Sequence, residues 1–307
     1  MHKISTISNF KLNSITTRPT FFQHSIDLLT IVMKGLGQIM LQENAVTGSV
    51  FLIGICMGSW TMGLAALIAT LTGTFVAKML QFDNTNIGKG LYGFSAALVG
   101  VALTLMFEPS FIVWIFIIIG SALASILQHF FILKKISVFT LPFVVVTWGA
   151  VYLLNLFSPE LAIFPAMESI DSTNDFAFAF RGFGQVIFQS SAIAGLLFFC
   201  AIFIHTPIAA LYGLAASVIA AMLSSAFTSQ YEAIQLGLFS FNAVLCAIVF
   251  AGNKISDGLW VLCSVILATT FSLLMSKFAF MQLTFPFVIS AFITLQLRAL
   301  FSAQSNA

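Results

Sequence analysis

The chain has 307 residues, 60% of them hydrophobic and only 7% Asp, Glu, Lys or Arg, with a mean hydropathy of +1.06. Soluble domains carry roughly 25% charged residues, so this composition excludes a soluble globular protein and leaves a polytopic membrane protein. The formal net charge of +2 comes with no basic patch and no aromatic-basic interleaving, which excludes a nucleic-acid partner.

In chain order, residues 1–20 are polar, hold Lys3, Lys11 and Arg18, and lack the apolar core of a cleavable signal peptide, so they read as a retained cytoplasmic tail. Long apolar runs then predict all-α structure, since in hydrocarbon each backbone polar group must be paired within its own segment. Six segments fall near 21–42, 45–60, 62–80, 89–107, 110–132 and 136–157. An acidic linker, 158–175, holds Glu160, Glu168, Asp171 and Asp175 and no basic residue. Six more segments follow near 176–189, 192–205, 207–227, 236–252, 258–279 and 282–303, with a short tail at 304–307.

Three boxes recur in the same order. Gly35–Gly48 (GLGQIMLQENAVTG) matches Gly182–Gly195 (GFGQVIFQSSAIAG) at an offset of 147 (182 minus 35), with six of fourteen positions identical. Gly90–Leu98 (GLYGFSAAL) matches Gly237–Leu245 (GLFSFNAVL) at the same offset, and Phe139–Val144 (FTLPFV) matches Leu283–Val288 (LTFPFV) at 144 (283 minus 139). The chain is an internal duplication, with repeat one at 21–157 and repeat two at 176–303.

Parity then decides orientation. If the fourth segment of each half enters and leaves on one side, each half makes five crossings and the copies are inverted. Lys3, Lys11, Arg18, Lys134, Lys135, Lys254 and Arg298 then fall on the cytoplasmic side and the acidic linker outside; Lys78, Lys89 and Arg181 fit less well. The expected architecture is two inverted repeats, each of five transmembrane helices plus one re-entrant half-helix, with both termini cytoplasmic. Inverted repeats put a pathway at their shared interface, and re-entrant backbone is tolerated where it lines a cavity.

The side chains in the boxes define the chemistry. Gln38 and Gln185, Thr140 and Thr284, Phe94 and Phe241, Leu98 and Leu245, and Ser95 facing Asn242 are all neutral. A cation path asks for carboxylates or carbonyl rings and an anion path for paired Arg or Lys. Neutral donors and acceptors between flat Phe walls instead imply a small, uncharged, polar and planar solute. Asp27 and Glu43 have no acidic counterpart in the second half, and Lys34 and Arg181, each four residues before its Gln, read as snorkelling or acid-paired cations. Cys56, Cys200, Cys246 and Cys263 fit neither a metal cage nor a redox pair, and His129 and His205 read as packing residues rather than a twin-histidine conduit. No metal, cofactor or enzyme chemistry is expected, for no His-Glu-x-x-His cluster or nucleophile with a base stands out.

At these boxes the chain resembles the urea transporter family, over residues 30 to 300. The resemblance implies a passive urea channel of the cell inner membrane, with one pore through each protomer of a homotrimer. It implies that Gln38 with Ile39, and Gln185 with Val186, line the filter of each half. Phe94 with Leu98, and Phe241 with Leu245, resemble the aromatic slot and its apolar neighbour, Phe188 the second ring of one slot, and Thr140 and Thr284 the hydroxyls of a midplane constriction. Leu41 stands where the family usually has a second ring, Ser95 replaces an expected Asn, and Ala45 and Ala192 stand where an Asn-Pro often falls. The alternative reading is a channel for other small neutral solutes such as ammonia, water or short amides.

Overall fold

A computed structural model describes residues 21–163 and 176–304. The expected N-terminal tail, the linker from residue 164 to 175 with Glu168, Asp171 and Asp175, and the last three residues lie outside the described residues.

The first half folds as α1 (Phe21–Gly37), α2 (Ala45–Gly58), α3 (Trp60–Met79), α4 (Asn84–Gly88), α5 (Phe94–Met106), α6 (Phe111–Leu133) and α7 (Leu141–Phe157). The second follows as α8 (Ala177–Gln185), α9 (Ala192–His205), α10 (Pro207–Phe227), α11 (Tyr231–Gln235), α12 (Phe241–Phe250), α13 (Ile255–Lys277) and α14 (Phe285–Gln304). Helices start where a side chain or proline suits an N-terminus. Asn44, Ser59 and Ser110 accept hydrogen bonds from the N–H groups of Thr47, Met62 and Val113, and Pro207 opens α10.

Of the ten segments expected to cross, α3, α6, α10, α13 and α14 are long and apolar enough on their own. Helices α1 and α2 reach that length only as a pair, bent by 75° at a short break, while α7 and α9 are shorter apolar helices and α8 keeps nine helical residues. The reason is local: both α1 and α8 run into the same backbone break just past a glutamine. The two fourth segments form α5, 13 residues, and α12, 10 residues. At 1.5 Å per residue these rise about 20 and 15 Å, against a hydrocarbon core of about 30 Å.

The packing of the first half reappears in the second. Helix α5 sits among α3, α6 and α7, as α12 sits among α10, α13 and α14. Between halves, the principal contacts join counterparts, α2 to α9 and α7 to α14. The rings of Phe51 and Phe198, an offset of 147 apart, meet edge-on at 5.0 Å. In both of these contacts an element touches its own copy.

Candidate functional site

Each half builds its share of the site on a broken helix. After α1, Leu41 takes a left-handed backbone (φ 59°), its N–H donating to Gln38 O at 3.0 Å while Gln42 N–H donates to Gly37 O at 3.1 Å. After α8, Phe188 (φ 58°) and Gln189 repeat these bonds to Gln185 O and Gly184 O at 3.1 and 2.9 Å. This pair of bonds is a Schellman motif, normally closed by glycine. A branched or aromatic residue there stores of order 1 kcal/mol or more, and such strain gathers at functional sites. The break is held from behind: a Cβ on Gly48 would strike the carbonyl oxygen of Met33, and one on Gly195 that of Phe180, its counterpart. Only glycine lets the next helix approach that closely.

The second box is shaped alike. Short helices α4 and α11 are followed two residues on by Gly90 (φ 76°) and Gly237 (φ 78°), whose positive φ favours glycine, and the chain then turns into α5 and α12 at Phe94 and Phe241. In the third box Phe139 (φ 50°) and Leu283 (φ 44°) are again left-handed and precede Thr140 and Thr284. These two threonines meet. Their buried hydroxyls lie 2.6 Å apart in one hydrogen bond between residues 144 positions apart.

A cavity of about 350 Å3, at the small end of small-molecule sites, descends on the first half to Thr140. It brings together Gln38, Ile39, Leu41, Phe94 and Thr140 from the residues expected at the site. Leu98 is fully buried behind it and does not line it. The second-half residues Gln185, Val186, Phe241, Asn242, Leu245 and Thr284 are buried and do not line it either, and Phe188 packs on Phe143 with ring centroids 6.3 Å apart.

The wall also contains residues that were not singled out from the sequence: Gln128, Phe139 and Phe287. Phe139 and Phe287 hold one another at 5.1 Å. Their signal was present, since Phe139 opens the third box and Gln128 is an amide within a strongly apolar helix. Gln42 and Gln189 form another repeated pair that was passed over. Both are buried, each amide donates to the carbonyl two residues back, Met40 or Ile187, and Gln42 also accepts from Thr206 at 2.7 Å across the halves. They brace the helix breaks.

Electrostatically the cavity is close to neutral: among its described lining residues Lys135 is the one charged side chain, and it is exposed. Lys34 pairs with Glu43 at 3.4 Å and Arg181 donates to the Gln235 carbonyl at 3.3 Å, so both cations have partners. The histidines lie apart. His129 stacks on Phe82 at 3.6 Å and bonds the Tyr92 hydroxyl at 3.0 Å, whereas His205 meets Asn44 at 3.3 Å.

Gln38 donates one amide N–H to Lys89 O at 3.0 Å, which fixes the side chain and leaves its carbonyl oxygen and its second N–H. With Phe rings beside it and a threonine hydroxyl below, the wall offers amide and hydroxyl donors and acceptors and flat apolar surface.

The sequence profile of the family described as "UT: Urea transporter" matches residues 29–299. The chain belongs to the urea transporter family. It is also similar to proteins named Urea transporter 1 from Mus musculus, 25% identical over 244 residues, from Rattus norvegicus, 25% over 240, and from Ovis aries, 25% over 244. Each alignment covers 72% of this chain and 62% of the relative, so the chain spans less than two thirds of the length of these relatives. Within the family, the duplicated Gln, Phe and Thr boxes of this chain fall inside the matched span.

Proposed function

We propose that this protein is a passive, channel-type transporter of urea, without enzyme chemistry, in which the two halves form one narrow pore. The observation that carries the reading is the Thr140–Thr284 hydrogen bond, 2.6 Å, at the end of an almost uncharged cavity lined by Gln38 and Phe94. Family membership and the name of the relatives, Urea transporter 1, support urea as the solute. A flat amide sliding between aromatic and aliphatic walls exchanges water for Gln and Thr contacts along its edges. At the threonines it replaces one hydroxyl–hydroxyl bond by two bonds to itself, each worth about 1 kcal/mol net, which permits passage without trapping. Gln185, Val186, Phe188, Phe241 and Leu245 serve the other half of the pore in the same way, and Asn242 braces it.

The counterpart contacts α2–α9 and α7–α14 support an inverted repeat with its two-fold axis in the membrane plane, α5 and α12 being the re-entrant half-helices. The resemblance and the charge pattern support a homotrimer in the cell inner membrane with both termini cytoplasmic. Stopped-flow light scattering of urea-loaded proteoliposomes tests the reading. Wild-type efflux should be rapid, independent of a proton gradient, and lowered in Thr140→Val and Gln185→Ala. No urea efflux from well-folded wild type would overturn it.

A further inference from the structure

Helices α6 and α13 have 23 residues each and correspond at an offset of 144 (255 minus 111), and the left-handed residues after them, Lys135 and Ala279, keep that offset. Gln128 is therefore the counterpart of Ser272, just as Ser95 is the counterpart of Asn242 at 147. The second half uses this pair to brace itself. The Asn242 amide donates to Leu283 O at 3.3 Å and to the Ser272 hydroxyl at 3.4 Å, and its carbonyl accepts from Phe287 N–H at 3.2 Å. Asn242 is thus fully buried and fully engaged.

The first half has the same two positions with the amide on the other helix. Ser95, on α5, is too short to make the Asn242 bonds, and its buried hydroxyl has no partner. Gln128, on α6, lines the cavity with Gln38, Phe94, Phe139 and Thr140, is 8% exposed, and its Oε1 is buried with no hydrogen-bond partner. A buried amide acceptor is seldom left unmade. Gln38 spends one amide N–H on Lys89 O and keeps its second N–H and its carbonyl oxygen, so the two glutamines give this wall amide donors and acceptors.

We infer that Gln128 is a solute-contacting residue of the first-half mouth, its side-chain amide hydrogen-bonding the edge of a planar amide. This rests on the urea-channel reading above. It assigns the first half a contact that the second half lacks, since there the corresponding amide is bonded to the protein itself.

The test compares wild type, Gln128→Leu and the exchange variant Ser95→Asn/Gln128→Ser in proteoliposomes, measuring the urea concentration that half-saturates flux, with thermal unfolding and monodispersity of each protein recorded. The exchange variant reproduces a pair that the second half already contains, so it restores any bracing role while removing the amide from the cavity. Loss of one neutral hydrogen bond raises the half-saturating concentration about fivefold, and the rise should be equal in both variants. Should Gln128→Leu not fold, the exchange variant decides alone. A return to the wild-type value in the exchange variant would overturn the inference and make Gln128 a brace, as would an unchanged value in Gln128→Leu. Absence of urea flux in wild type would instead overturn the channel reading, and this inference with it.

Discussion

At position 41 the first half carries Leu where the second carries Phe188, and at position 139 it carries Phe where the second carries Leu283. All four residues are left-handed, with φ between 44° and 59°. The backbone is thus repeated at its least comfortable points while a ring has changed places with a leucine. The same exchange occurs between amide and hydroxyl at Ser95 with Gln128 against Asn242 with Ser272. In the first half the exchanged groups, Phe139 and Gln128, line the cavity; in the second, Asn242 bonds to the backbone before and within α14. The lesson is that the duplication preserves what the main chain must do and lets neighbouring positions trade the side chains that line the cavity.

The strongest way to break this equivalence is at the glycines. Gly48→Ala and Gly195→Ala each drive a methyl group into a backbone carbonyl that has no room to yield, so both should abolish recovery of monodisperse protein. A tolerated Gly195→Ala beside a lethal Gly48→Ala would show that the two breaks are not mechanically alike. At the threonines the halves touch, so Thr140→Val and Thr284→Val should be equivalent. Each leaves its partner hydroxyl buried and unpaired, at about 1–3 kcal/mol, and urea flux should fall about tenfold. The double Val variant should recover thermal stability while its flux stays low, and recovery of both would remove the threonines from the pathway.

Ring placement gives a smaller effect. Leu41→Phe adds a ring to a mouth that already has Phe94, Phe139 and Phe287, and should lower the methylurea-to-urea flux ratio about threefold, below the roughly tenfold or more that a methyl group commands in a closed pocket. Adding Phe139→Leu, which copies the second-half pattern, should bring the ratio back, and equal ratios in all three proteins would dismiss the exchange of rings. Smallest of all is Lys34→Gln. The Lys34–Glu43 pair is partly exposed on both sides, and such pairs contribute about 1 kcal/mol or less. Unfolding should move by a few degrees at most and flux should not change; a large change in flux would place that pair in the pathway.

Much of this was legible without coordinates. Low charge and unbroken apolar runs fix a helical membrane protein because hydrocarbon leaves the backbone no other partners. The three ordered boxes expose the duplication, and Gln38, Ile39, Leu41, Phe94 and Thr140 do share one cavity. Helix lengths were less legible. The segment 21–42 looks apolar to its end, yet the helix stops at Gly37 because Leu41 turns left-handed against the next helix, and hydropathy carries no trace of that turn.

The sequence by itself determined the class, the twofold repetition and the neutral character of the lining, since each depends on composition or on residues compared along the chain. The tertiary structure alone decided that Thr140 bonds Thr284, that Phe139 lines the same cavity as Leu41, and that Gln128 rather than Ser95 reaches that cavity. Those are contacts between separate helices, between residues up to 144 positions apart. Local pattern constrains one helix face at a time, whereas the meeting of two faces depends on how the whole bundle packs.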